Sequence, residues 1–155
     1  MRYDVWGFPV FKYTDKSVEG MNLNQRIQKY LRMMLSELGI PVEDFTVNKC
    51  GNLECKDSCH THEPQQPRFR FTYFAKYNPE TDAKFIFMNP SLSHKIYGDW
   101  INTVPAFKPE FTPNILQGDI LIYPCFLVHH MADSPSVTLS GNIYKTINKK
   151  NVYKE

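Results

Sequence analysis

Apolar residues recur at helical spacing from Asn22 to Leu38. Leu23, Ile27, Tyr30, Leu31, Met34, Leu35 and Leu38 form one stripe, and Gln25, Arg26, Lys29, Arg32 and Glu37 lie on the other side. Gly39 supplies a C-terminal stop and Pro41 follows, so the spacing predicts one amphipathic helix whose Met and Leu stripe covers a sheet. Elsewhere the period is that of a strand. From Arg68 to Tyr77, Phe69, Phe71, Tyr73, Ala75 and Tyr77 fall on one face and Arg68, Arg70, Thr72, Phe74 and Lys76 on the other, which predicts a strand with one largely polar side. Val137 to Ile143 alternates again, with Val137, Leu139, Gly141 and Ile143 inward and Ser136, Thr138, Ser140 and Asn142 outward.

Shorter segments fill in the pattern. Asp4 to Tyr13 is aromatic and β-branched, and Pro9, which cannot donate to a central ladder, marks it as an edge strand. Asp44 to Asn48 reads as a short strand. Asn78 to Asp82 reads as a turn, after which Phe85 to Met88 returns as the second strand of a hairpin. Gln117-Gly118-Asp119 turns into a strand from Ile120 to Tyr123, Pro124 breaks the ladder, and Cys125 to His130 follows. Between Asn89 and Asn114 the chain is loop-like, a lid or a covering loop with Trp100, Phe107 and Phe111 to pack it, and His94 there reads as a surface residue. Many short strands with one early helix imply a mainly-β barrel or jelly roll with helical support.

The 155 residues, 42% hydrophobic and 14% aromatic, suffice for one packed core, and one domain over 1–155 is expected. A net charge of +2 is too small to imply nucleic acid, and the basic C-terminus with Lys145, Lys149, Lys150 and Lys154 reads as a solvated tail. No apolar run approaches the roughly 20 residues that span a bilayer, so a soluble, cytoplasmic protein without membrane association is expected. Reduced thiols are then the default for Cys50, Cys55, Cys59 and Cys125. The spacing of Cys50, Cys55 and Cys59 ahead of His60 also admits a structural Cys3His zinc site, although the tight C-x2-C knuckle is absent.

The strongest candidate chemistry is His60-Thr61-His62. On an extended strand these imidazoles project from one face about 7 Å apart, close enough to share an ion. His129 is the third candidate ligand, with His130 the alternative after a one-residue register shift, and three such ligands leave about half of an octahedron open.

These segments resemble the double-stranded β-helix proteins, above all a small family of 2-oxoglutarate and iron(II)-dependent oxygenases common in phages and marine bacteria. Phe8-Pro9-Val10-Phe11 before the helix opening Asn22-Leu23-Asn24 is similar to that family's start, and His60-Thr61-His62 before Phe71-Thr72-Tyr73 to its H-x-H and tyrosine-bearing strand. Gly118 to Pro124 with His129 resembles its G-D-h-h-h-F-P-x4-H segment, where h is apolar, and Asn142 matches a terminal asparagine. The resemblance implies a double-stranded β-helix, or jelly roll, with one supporting N-terminal helix. It also implies Fe(II) on His60, His62 and His129, and 2-oxoglutarate held near Tyr73, Ser136, Thr138 and Asn142. Ser136 stands where the family carries an arginine for the far carboxylate, so Arg68, Arg70 or Lys145 would have to replace it; His62 stands where most such oxygenases carry an acid. The implied activity is hydroxylation of an unknown small molecule or protein side chain, in the host cytoplasm for a phage-encoded chain, and a homodimer is left open. The G-x5-P-x4-H spacing is also that of a cupin motif. A cupin-like metal protein without 2-oxoglutarate, or a non-catalytic module with zinc at the cysteines, therefore remains an alternative.

Overall fold

The computed structural model describes residues 1–14, 22–41, 45–50, 67–89 and 108–145, the backbone alone at 45–50 and 145. In chain order the elements are β1 (Arg2–Val5), β2 (Phe8–Thr14), α1 (Leu23–Leu38), β3 (Phe45–Cys50), β4 (Pro67–Lys76), β5 (Ile86–Met88), β6 (Glu110–Phe111), β7 (Asp119–Pro124), β8 (His129–His130) and β9 (Val137–Lys145). The protein is mainly β. Among the described residues a six-stranded sheet runs β1-β2-β7-β4-β9-β3, a three-stranded sheet runs β6-β5-β8, and every pairing is antiparallel. No helix among the described residues is long and apolar enough to cross a membrane.

The helix forms where its stripe requires it. Asn22 Oδ1 accepts from the Gln25 amide at 2.9 Å while Gln25 Oε1 accepts from the Asn22 amide at 3.1 Å, a reciprocal cap on the first turn. Gly39, at φ 73°, takes the left-handed conformation that ends the helix. Ile27, Tyr30, Leu31, Met34 and Leu35 are buried against Phe11, Phe71, Ile120, Ile122 and Ile143 of the large sheet. Each such side chain removed from water contributes about 1.5–3 kcal/mol.

Four expectations need correction. The first strand is a hairpin: Trp6 and Gly7, with φ 52° and 86°, form a two-residue turn between β1 and β2. Pro9 therefore lies one strand in from the edge, where the β2–β7 ladder, which begins at Phe11, has not yet started. Secondly, β5 does not return beside β4. Both edges of β4 are taken by β7 and β9, so after the Asn78–Asp82 turn the chain crosses to the small sheet. Thirdly, Pro124 stays in β7, opposite Phe69 and beyond the last β2 pair, where its missing N–H costs no bond to β2. Lastly, an irregularity in register between Phe74 and Lys76 carries Tyr77 to the side of Phe74 instead of that of Phe71, and the two rings meet edge-on at 5.3 Å.

Candidate functional site

Alternation gives the large sheet two chemically different faces. Odd-numbered Phe69, Phe71 and Tyr73 of β4 and Ile143 of β9 turn to the helix, so Arg70, Thr72 and Phe74 of β4 and Thr138, Ser140 and Asn142 of β9 share the opposite face. Most of this second set is buried, with Thr138 and Ser140 half-buried. Phe74 packs with Phe85 and Phe87 of the segment entering the small sheet, and Arg70, Thr72 and Asn142 are 6%, 2% and 6% exposed. Arg70 and Thr72 of the polar side of β4 and Asn142 of the supposedly outward side of β9 are therefore corrected to interior positions, whereas Arg68 and Lys76 are exposed, Thr138 and Ser140 are half-buried, and Val137, expected inward, is exposed. The cause is topological: strand period assigns residues to a face, and only the placement of the second sheet decides that both faces are covered.

Hydrogen bonds run across that surface. Tyr123 of β7 places its hydroxyl 3.0 Å from Thr72 Oγ1, which lies 3.2 Å from Ser140 Oγ, and the same phenol lies 3.3 Å from His129 Nε2. Arg70 sits between Tyr123 and Asn142 in the strand register. Asn142 Nδ2 makes a long 3.4 Å contact with the Tyr144 hydroxyl, while the buried Oδ1 has no hydrogen-bond partner among the described residues. At the far end of this face Asp119 is structural: it accepts from Thr14 Oγ1 at 3.0 Å and from the Leu116 amide at 2.8 Å, tying down the turn that precedes β7.

His129 is positioned from the small sheet. It pairs with Phe87, and its ring stacks on Phe85 at 4.9 Å and meets Tyr123 edge-on at 5.0 Å. Its Nδ1 lies 3.2 Å from the Leu127 carbonyl, which can only accept, so the proton belongs on Nδ1 and the Nε2 lone pair turns toward the Tyr123 hydroxyl. Burial pushes the imidazole pKa down to about 4; the Leu127 hydrogen bond opposes this, and the charges of Arg70 and His130 act with it. His129 is thus a neutral imidazole with a directed Nε2, the form a metal ligand requires, and a backbone carbonyl fixes its tautomer. His130 is exposed, so the observed register favours its neighbour as the inward residue.

Of the other residues singled out in the sequence, His60 and His62 lie outside the described residues, as do His94, Cys55 and Cys59. Among the described residues no three His, Cys, Asp or Glu side chains gather as a metal set. Tyr73 packs on the helix side, with the Arg26 guanidinium 5.6 Å from its ring centre, across the sheet from His129. Arg68 is exposed, Lys145 is described by its backbone alone, and Ser136 Oγ lies 2.8 Å from Ser134 Oγ just before β9. Thr138 stands opposite Phe74. Arg70, Asn142 and His129 are brought to one surface. Sequence reasoning missed Thr72 and Tyr123 as members of it. The available signal was two neighbouring strands that each carry a polar row, which pairing aligns.

A buried row of guanidinium, hydroxyls and carboxamide beside a lone-pair imidazole can orient an anionic, oxygen-rich ligand. No protein-family model and no curated protein matches the chain.

Proposed function

We propose that this chain is a 2-oxoglutarate and Fe(II)-dependent oxygenase of the double-stranded β-helix type. The observation that carries the reading is Arg70, buried on the same interior face as the directed Nε2 of His129. It offers the cation that the sequence lacks at Ser136.

The strand order supports the fold assignment. A jelly roll folds eight strands into two facing sheets. On this reading β3, β4, β7 and β9 are its strands in the large sheet, β5, β6 and β8 are three of those in the small one, and β1, β2 and α1 are additions. His60 and His62, which lie outside the described residues, would complete the ligand set begun by His129.

When bound there, Fe(II) supplies the oxidation in which 2-oxoglutarate, O2 and a substrate C–H give succinate, CO2 and the C–OH product. The chain's residues bind and orient. His129 offers its Nε2 lone pair while Phe85 and Phe87 hold the ring and exclude water. Arg70 meets a carboxylate, and the hydroxyls of Thr72, Ser140 and Tyr123 fix its approach.

The test is metal content and succinate formation in protein purified without oxygen. Wild type should hold one Fe(II) per chain and release succinate from 2-oxoglutarate. His129→Ala should lose the metal, and Arg70→Met should keep it while losing turnover. Metal retained in His129→Ala but lost in Cys50→Ser and Cys55→Ser would move the site to the cysteines and end the oxygenase reading.

A further inference from the structure

Asn142 is an incompletely satisfied buried polar side chain on the interior face. It is 6% exposed, and among the described residues its one hydrogen bond is the 3.4 Å contact to Tyr144 while the other end of its amide meets no donor or acceptor. Buried carboxamides ordinarily use both ends, because leaving one unpaired forfeits its hydration without return. The nitrogen and oxygen of such an amide are told apart only by their hydrogen bonds. Turned over, the group lets Oδ1 accept from the Tyr144 hydroxyl and frees Nδ2 as a donor. Its neighbour in the strand register is Arg70, also 6% exposed, and side chains at directly paired positions have Cβ atoms within about 5.5 Å of each other. Two donors of different kinds, one charged and one neutral, thus lie side by side on a covered surface.

We infer that Asn142 and Arg70 together form the carboxylate subsite of this chain, the amide donating to one oxygen and the guanidinium meeting the other. The acid is then gripped from the middle of the sheet, by β4 and the second half of β9, and Ser136 at the start of β9 takes no part. This rests on the oxygenase reading only for the identity of the acid, 2-oxoglutarate; the subsite itself would take any small carboxylate of similar length.

The experiment is calorimetric titration of the full chain with 2-oxoglutarate and, separately, with succinate, each with and without Mn(II), a redox-inert substitute for Fe(II). Asn142→Leu removes one donor and should weaken 2-oxoglutarate binding about tenfold. Asn142→Asp sets a carboxylate beside Arg70 in competition with the ligand and should weaken it about a hundredfold, with Mn(II) stoichiometry intact in both variants. Binding of both acids to wild type that ignores Mn(II) but falls in both variants supports the subsite and removes the oxygenase reading. Mn(II)-dependent 2-oxoglutarate binding that is unchanged in both variants overturns the subsite and leaves that reading standing. Failure of wild type to bind either acid overturns both. If the variants do not fold, the wild-type side-chain amide resonances of Asn142 decide: they shift on addition of 2-oxoglutarate, and unmoved resonances overturn the subsite.

Discussion

The two faces of the six-stranded sheet are built from the same strands and are both covered, yet they differ in what covers them and what they contain. Toward the helix, Phe11, Phe71, Ile120, Ile122 and Ile143 meet Ile27, Leu31, Met34 and Leu35 in an apolar layer with little for a ligand to recognise. Toward the small sheet the face is divided. Val5, Val10, Leu121 and Phe74 join Phe85, Phe87 and Leu127 in a second apolar cluster, whereas Arg70, Thr72, Ser140 and Asn142 make a polar strip beside it, reached from both sides by Tyr123 and His129. Burying polar groups costs free energy that burying phenyl rings does not. The two apolar clusters therefore account for stability, and the polar strip, which costs free energy to bury, is where we propose that a ligand is recognised.

The largest test of that contrast is Phe71→Ala, which should lower unfolding free energy by about 3–5 kcal/mol in urea titration, as loss of a core phenyl does. A loss below about 1 kcal/mol would make the helix side no more important to stability than an ordinary surface. The second test uses pH on metal-free protein. The folded pKa of His129, about 4, lies below the ordinary 6.5, so the unfolded chain binds the extra proton between those values. Its contribution is complete above pH 6.5 and is lost as pH falls toward 4, by at most roughly 3 kcal/mol. His129→Gln should flatten that part of the stability profile, and an unchanged slope would contradict the neutral, half-buried imidazole. Asn22→Ala should cost about 1 kcal/mol through the lost helix cap, read as a shift in the urea midpoint. Smallest of all, Thr72→Val removes hydroxyl bonds to Tyr123 and Ser140 while keeping shape, and should change stability by under about 1 kcal/mol. If Thr72→Val destabilised as much as Phe71→Ala, the division between the apolar layer and the polar strip would fail.

The sequence by itself determined the helix, nearly to the residue, because its stripe, its Asn22 cap and its Gly39 stop are all local to the segment. It also determined that 68–77 and 137–143 are strands and which of their side chains travel together, since period 2 is likewise local, up to the irregularity that moved Tyr77. Tertiary structure alone decided which faces are interior. Ser140 and Asn142 alternate with apolar residues as the outer side of a half-buried strand would, and nothing within 137–143 announces a second sheet above them. The same holds for β5, which lacked a place beside β4 only because β7 and β9, distant in sequence, had taken both edges. His129 is distinguished from His130 by a single position of register, fixed when Phe87 pairs with it. Periodicity is a property of consecutive residues, whereas coverage and register come from contacts between segments tens of residues apart, so the candidate site, made of such contacts, became legible only in the folded chain.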